Sequence, residues 1–199
     1  MMRSSLITTA IFFCIISLGC APQKSEIIID KNISNQSVIM NDKLLQFQVT
    51  GYENGGNMPA KFATKNGGGE NVSIGAKWQI LPAAQSYALL FYDKHPMASN
   101  WTHWLVADIP NTDTEIPEGA SRSNKMPAGS RELKTSWDRT GYDGPQPPVG
   151  SGSHEYVAIL YALNIPKLGL PEDASRDEFL KAIETHVIAQ ESWSGYFLR

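Results

Sequence analysis

Residues Gly141 to Leu163 read GYDGPQPPVGSGSHEYVAILYAL and join a stiff loop to an unusually apolar run. Pro145, Pro147 and Pro148 hold φ at about −65° and remove backbone donors, while Gly144, Gly150 and Gly152 allow turns that other residues resist. Neither a helix nor a central strand fits there. From His154 the pattern changes. In an extended chain Glu155, Val157, Ile159, Tyr161 and Leu163 share one face, and His154, Tyr156, Ala158, Leu160 and Ala162 the other. Apolar character on both faces is the mark of a strand in the middle of a sheet. This strand opens with an imidazole and a phenol pointing the same way beside a proline-stiffened loop, which suggests a pocket wall. The plainer reading is that both are strand-end residues with their polar tips in water.

On the N-terminal side of this stretch, four further segments read as strands. Leu44 to Thr50 alternates, with Leu45, Phe47 and Val49 on the buried face. Lys77 to Leu81 and Tyr87 to Asp93 flank Pro82 and a small-residue turn. In the second of these Tyr87, Leu89, Phe91 and Asp93 line one face, so a carboxylate ends an apolar stripe, either capping the following turn or facing a site. Thr102 to Ile109 places His103, Leu105, Ala107 and Ile109 together, again with a polar residue at the head of a stripe. Gly51 to Gly75 is rich in glycine and asparagine and reads as a long surface loop with short extended pieces, as does Pro110 to Gly141. Beyond the quoted stretch only Ser175 to Gln190 reads as a helix: Ser175 and Glu178 form a capping box, and Phe179, Ile183 and Val187 repeat every four residues. Gln190 to Arg199 reads as a final strand. The chain is thus expected to be β-rich with one substantial helix.

The 199 residues are 42% hydrophobic and 19% charged, with a formal charge of −3, which suits one globular domain and argues against nucleic acid as a partner. Residues 1–20 read as a targeting segment, with Arg3 at its start, an apolar run from Leu6 to Leu18, and Gly19-Cys20 at its end. A small residue followed by cysteine resembles the lipobox of bacterial lipoproteins, which implies cleavage before Cys20 and a lipid on it. Ser17 departs from that pattern, so ordinary secretion and an uncleaved anchor are the alternatives. Residues 21–42 read as a tether with at most one weak strand at Ile27 to Ile29, leaving 43–199 as the domain. The chain's cysteines are Cys14 and Cys20, so the domain is expected to fold without a disulfide.

With these residues in hand, the chain resembles the phosphatidylethanolamine-binding protein family, in its bacterial Raf-kinase-inhibitor-like branch. The most specific part is Gly144-Pro145-x-Pro147-Pro148-x-Gly150-x-Gly152-x-His154-x-Tyr156, supported by a second motif over Asp93 to Trp104. Asn71-Val72-Ser73 with Trp78, Met58-Pro59, and a C-terminal helix carrying Glu184 and His186 are similar too. The family's second acid after Asp93 is missing, and Gln146 stands where bacterial members often have cysteine. The resemblance implies a mainly β fold, an antiparallel Greek-key-like β-sandwich with one substantial C-terminal helix and long loops. It places a ligand pocket at Asp93, His103, His154 and Tyr156, with Gly144, Pro145 and Trp101 beside them and Trp104 as a further wall residue.

Two imidazoles and a phenol can donate hydrogen bonds to a small anion, and Asp93 can orient one imidazole. The function expected is non-enzymatic binding of a phosphorylated small molecule or phospholipid head group, without a cofactor, at the bacterial cell envelope through a lipid anchor. A second reading is regulation of a protein partner, as the family includes inhibitors of kinases and serine proteases. A third is a metal enzyme using Asp93, His103 and His154, with His95 in reserve, although the three lie on different segments and give no short-range ligand spacing. A serine hydrolase is weaker still, because Gly150-Ser151-Gly152-Ser153 is not a strand-to-helix elbow.

Overall fold

The computed structural model describes residues 45–199. The targeting segment, the tether and Cys20 therefore lie outside the described residues. Among these residues the chain is mainly β with one α-helix, and its strands form two sheets. In chain order they are β1 (Gln48–Thr50), β2 (Gly56–Asn57), β3 (Gly75–Lys77), β4 (Ser86–Asp93), β5 (Trp101–Pro110), β6 (Glu115–Ile116), β7 (Arg131–Glu132), β8 (Ser153–Leu163), α1 (Arg176–Ile183) and β9 (Val187–Leu198). The small sheet runs β1-β3-β6 and the large one β2-β9-β8-β4-β5-β7. All pairings are antiparallel except that of β2 with β9.

The doubly apolar run is the interior strand β8, paired with β4 on one side and β9 on the other. Its two faces divide as the alternation requires. Tyr156, Ala158, Leu160 and Ala162 join a core with Tyr87, Leu89 and Phe91 of β4 and with Val49, Ala76 and Ile116 of the small sheet. Tyr161 and Leu163 join Ala88 and Leu90 in a second core beneath Phe179 and Ile183 of α1.

Three expectations are corrected. The strand expected over Leu44 to Thr50 is confined to β1 within the described residues, because Gln46 takes φ 45° and breaks the ladder, although Leu45, Phe47 and Val49 are all buried. That expected over Lys77 to Leu81 ends at Lys77; Trp78 and Gln79 still donate backbone hydrogen bonds to Thr114 and Leu45. The helix expected over Ser175 to Gln190 stops at Ile183, so His186 lies in the turn and Val187 opens β9 opposite Leu163. A four-residue apolar repeat fits a helix, but β-branched Val187 and Ile188 also suit a ladder, and the unpaired edge of β8 supplies one.

The start of the helix is as read: the Ser175 side chain accepts from Glu178 N, and the Glu178 carboxylate accepts from Ser175 N at 2.8 Å. With eight residues, α1 depends on this cap and on its buried face. Ser175→Ala should cost about 1 kcal/mol, lowering the melting temperature by about 2–4 °C. Thermal unfolding followed by circular dichroism checks this.

Candidate functional site

The site is assembled where β4 ends and β8 begins. Register places Asp93 opposite Tyr156, so the Asp93 carboxylate reaches the neighbouring His154. Asp93 Oδ2 accepts from His154 Nδ1 at 2.6 Å, and Asp93 Oδ1 accepts from the backbone N–H of His95 at 2.8 Å. This carboxylate closes the turn after β4, as one of its two readings expected, and also holds the His154 imidazole. Asp93, His103, His154 and Tyr156 are all buried. The His95 ring stacks on that of His154 with centroids 3.9 Å apart. On the far side of His154, Nε2 lies 2.9 Å from the Ser151 hydroxyl, which also lies 2.7 Å from the Pro148 carbonyl.

His103 arrives by a different device. The ladder steps from Phe91↔Trp104 to Tyr92↔Thr102, so His103 is an extra residue on β5, a bulge that re-aims a side chain. Its ring packs 5.1 Å from Tyr156 and 5.8 Å from Phe91. A second shift lies between Tyr87 and Leu89, where Asp108 has φ 58°. The expected stripe His103, Leu105, Ala107 and Ile109 is thereby split: Leu105 and Ala107 face the helix-covered core, while Ile109 packs with Trp104 in the other. Strict alternation fails wherever a bulge adds a residue.

The loop before β8 fixes the His103 tautomer. The Asp143 carbonyl accepts from His103 Nδ1 at 2.6 Å, and the Asp143 backbone N–H donates to the His103 carbonyl at 3.0 Å. The buried Asp143 carboxylate is gripped in turn by Arg139 through two 2.8 Å bonds and by Arg122 at 3.2 Å. Burial pushes the His103 pKa down to about 4, against the opposing pull of its hydrogen bond to the Asp143 carbonyl. Its Nδ1 proton is thus committed to protein. The remaining ring nitrogen, Nε2, is left as an acceptor, where a donor was expected.

A cavity of about 230 Å³ opens among Asp93, His103, His154 and Tyr156, with Trp101, Trp137, Gln146 and Pro147 among its walls. Trp101 is 40% exposed and Met97 is 63% exposed at its edge. Pockets for drug-sized ligands run to about 300–1,000 Å³, so this one suits a small group. Burial, together with the nearby Asp93 carboxylate, pushes the Tyr156 phenol far above its usual range. Its buried hydroxyl makes no hydrogen bond of good geometry, although Asp93 is close enough to influence its titration.

Among the sequence candidates, Gly144, Pro145 and Trp104 are not wall residues. A Cβ on Gly144 would lie 1.8 Å from the Phe62 carbonyl, and Gly144 N donates to Asn71 Oδ1 at 2.8 Å, so this glycine locks the loop against its neighbour. The Pro145 carbonyl accepts from Thr64 N, and Trp104 is fully buried with its indole N–H on Glu132. Sequence reasoning missed Trp137, Met97 and Ala98 as wall residues and Asp143 as the His103 partner, because they lie in loops without periodicity. No group of three or more His, Cys, Asp or Glu able to hold a metal ion is found among the described residues.

Residues 48–198 match the family described as phosphatidylethanolamine-binding protein. The chain belongs to that family. Its relatives include a UPF0098 protein of Methanothermobacter thermautotrophicus, 34% identical over 145 residues that cover 72% of this chain and 92% of the relative. UPF0098 protein YbhB of Escherichia coli is 33% identical over 132 residues, 65% of this chain and 83% of its own. LppC of Mycobacterium tuberculosis, named as a candidate lipoprotein, is 30% identical over 146 residues, 73% and 68% of the two chains. The crystal structure of Escherichia coli YbcL, described as a new member of the mammalian PEBP family, superposes with a TM-score of 0.73 at 25% identity, covering 78% of this chain and 98% of that one.

For this member of the phosphatidylethanolamine-binding protein family, the buried neutral His103 has a consequence for stability. Its folded pKa of about 4 lies below the ordinary 6.5, so below pH 6.5 the unfolded chain takes up a proton that the folded chain refuses. The stability that His103 contributes is complete above pH 6.5 and falls as pH drops toward 4. His103→Asn, which keeps a donor for the Asp143 carbonyl, removes this linkage. The stability difference between wild type and variant should shrink between pH 7.5 and 4 by on the order of 3 kcal/mol. Urea unfolding at several pH values measures it.

Proposed function

We propose that this protein is a non-enzymatic binding module for small anionic or phosphorylated ligands of the phospholipid head-group type. In this reading it is built as an antiparallel Greek-key-like sandwich and held at the bacterial cell envelope by a lipid on Cys20. The observation that carries the proposal is the Tyr156 hydroxyl, buried beside the cavity and making no hydrogen bond of good geometry. An unpaired buried hydroxyl costs about 1–3 kcal/mol, which a ligand oxygen would offset. The Gln146 carbonyl accepts from Thr64 Oγ1 at 2.6 Å, leaving an amide NH2 as a second donor. Asp93 already accepts two N–H groups, which tempers its repulsion of an anion. Trp101, Met97 and Pro148 give the wall an apolar side suited to the body of a ligand with a polar tip.

Membership of a family described as phosphatidylethanolamine-binding supports the head-group class. The candidate-lipoprotein relative and the apolar run ending at Gly19-Cys20 support the envelope. Exposed Met97 and Trp101 beside the cavity favour a second reading, in which a partner protein docks there for regulation.

Titration calorimetry with O-phosphoethanolamine should show saturable binding by wild type. Tyr156→Phe keeps the ring and deletes the donor, so it should lose about 0.5–1.5 kcal/mol. His154→Ala removes a cavity wall and leaves the buried Asp93 carboxylate without its imidazole partner, so it should weaken binding by about 1.5–3 kcal/mol. Equal affinity for all three proteins would overturn the reading, and a partner complex that survives His154→Ala would favour the regulatory one. Cys20→Ala should shift the protein from the membrane to the soluble fraction; unchanged fractionation would count against the lipid anchor.

A further inference from the structure

The cavity has an arrangement of donors and acceptors that restricts the ligand further. A carbonyl can only accept, so the 2.6 Å contact of His103 Nδ1 with the Asp143 carbonyl means that Nδ1 carries the proton. Burial keeps the ring neutral. His103 Nε2 is then a lone pair on a ring that lines the cavity. The charged and titratable groups around it are few. Asp93 comes from the end of β4, His154 and Tyr156 from β8, and Asp143 from the loop, with its carboxylate turned to Arg139 and Arg122. Trp137 and Phe91 pack against the remainder of the ring. No lysine or arginine lines the cavity.

A fully ionised phosphate or a phosphodiester presents acceptors alone. Set against His103 Nε2, such a group places one lone pair against another, with no lysine or arginine in the cavity to offset the contact. A phosphomonoester carrying one proton presents both kinds of group. We propose that the pocket binds a phosphomonoester as its singly protonated monoanion, the P–OH donating to His103 Nε2 while an ionised oxygen accepts from the Tyr156 hydroxyl. The site is therefore selective for monoesters over diesters and for the monoanion over the dianion. This inference rests on the anion-binding reading above and adds to it the ligand's protonation state.

Calorimetry on the full-length protein in detergent tests it with methyl phosphate and dimethyl phosphate between pH 5 and 8, each in two buffers of different ionisation enthalpy. The second pKa of a phosphomonoester is about 6. Above it the monoester affinity, divided by that of the diester at the same pH, should fall about tenfold per pH unit, with uptake approaching about one proton per ligand at pH 8. At pH 5 the diester should bind at least about tenfold more weakly. In folded His103→Gln, whose amide can offer N–H where Nε2 stood, the ratio should collapse toward one; if that variant does not fold, the wild-type comparison decides alone. Equal binding of the two ligands, no proton uptake at pH 8, or an unchanged ratio in folded His103→Gln would overturn the protonation requirement and leave anion binding standing. No binding of either ligand at any pH would overturn both.

Discussion

The pairing of β4 with β8 is the constraint on which the site depends. It sets Asp93 opposite Tyr156 and beside His154, at the point where both strands leave the sheet. A slip of one residue would send every side chain of β8 to the opposite face, exchanging Tyr156 and Leu160 for Val157 and Ile159. That slip is prevented by eight consecutive cross-strand pairs between β4 and β8, with apolar side chains on both faces of each strand. The 2.6 Å bond between Asp93 and His154 is therefore held by the rigidity of a sheet rather than by the loops around it. Loops add the turn at His95 and the Ser151 contact, each anchored to this pair.

A second constraint governs charge. Taking an ion pair into a dry cavity costs more than its attraction returns unless every remaining lone pair is satisfied. Here the arginines stay outside. Arg122 and Arg139 are 41% and 58% exposed and hold the Asp143 carboxylate from the solvent side. What reaches the cavity from this cluster is the Asp143 carbonyl, a neutral acceptor that fixes the His103 tautomer. The result is a cavity whose polar lining is set by the direction of hydrogen bonds, with no lysine or arginine in its walls.

The motif from Gly144 to Tyr156 that carries the family resemblance serves two physical ends. His154 and Tyr156 line the cavity directly. Gly144 and Pro145, only a few residues earlier, are loop anchors: one packs against the Phe62 carbonyl, and the other supplies a backbone acceptor to Thr64. A motif read as a set of ligand-binding residues is here half site and half scaffold. The scaffold half leaves no room for a side chain at Gly144.

The sequence by itself determined β8 as a doubly buried strand, the faces of β4, the capping box at Ser175, and the candidate group Asp93, His103, His154 and Tyr156. Those features follow from local periodicity, from side-chain chemistry at adjacent positions, or from motifs contiguous in the chain. Tertiary structure alone decided where the helix ends, because Val187 and Ile188 suit either state until the edge of β8 offers hydrogen bonds. It also decided the aim of His103. A bulge is a relation between two strands, and Trp101 to Pro110 carries no proline or glycine in its interior to announce one. Asp143 as the tautomer-setting partner was equally hidden, since its contact is made by a backbone carbonyl 40 residues away, a group that every residue possesses and no side-chain pattern reveals.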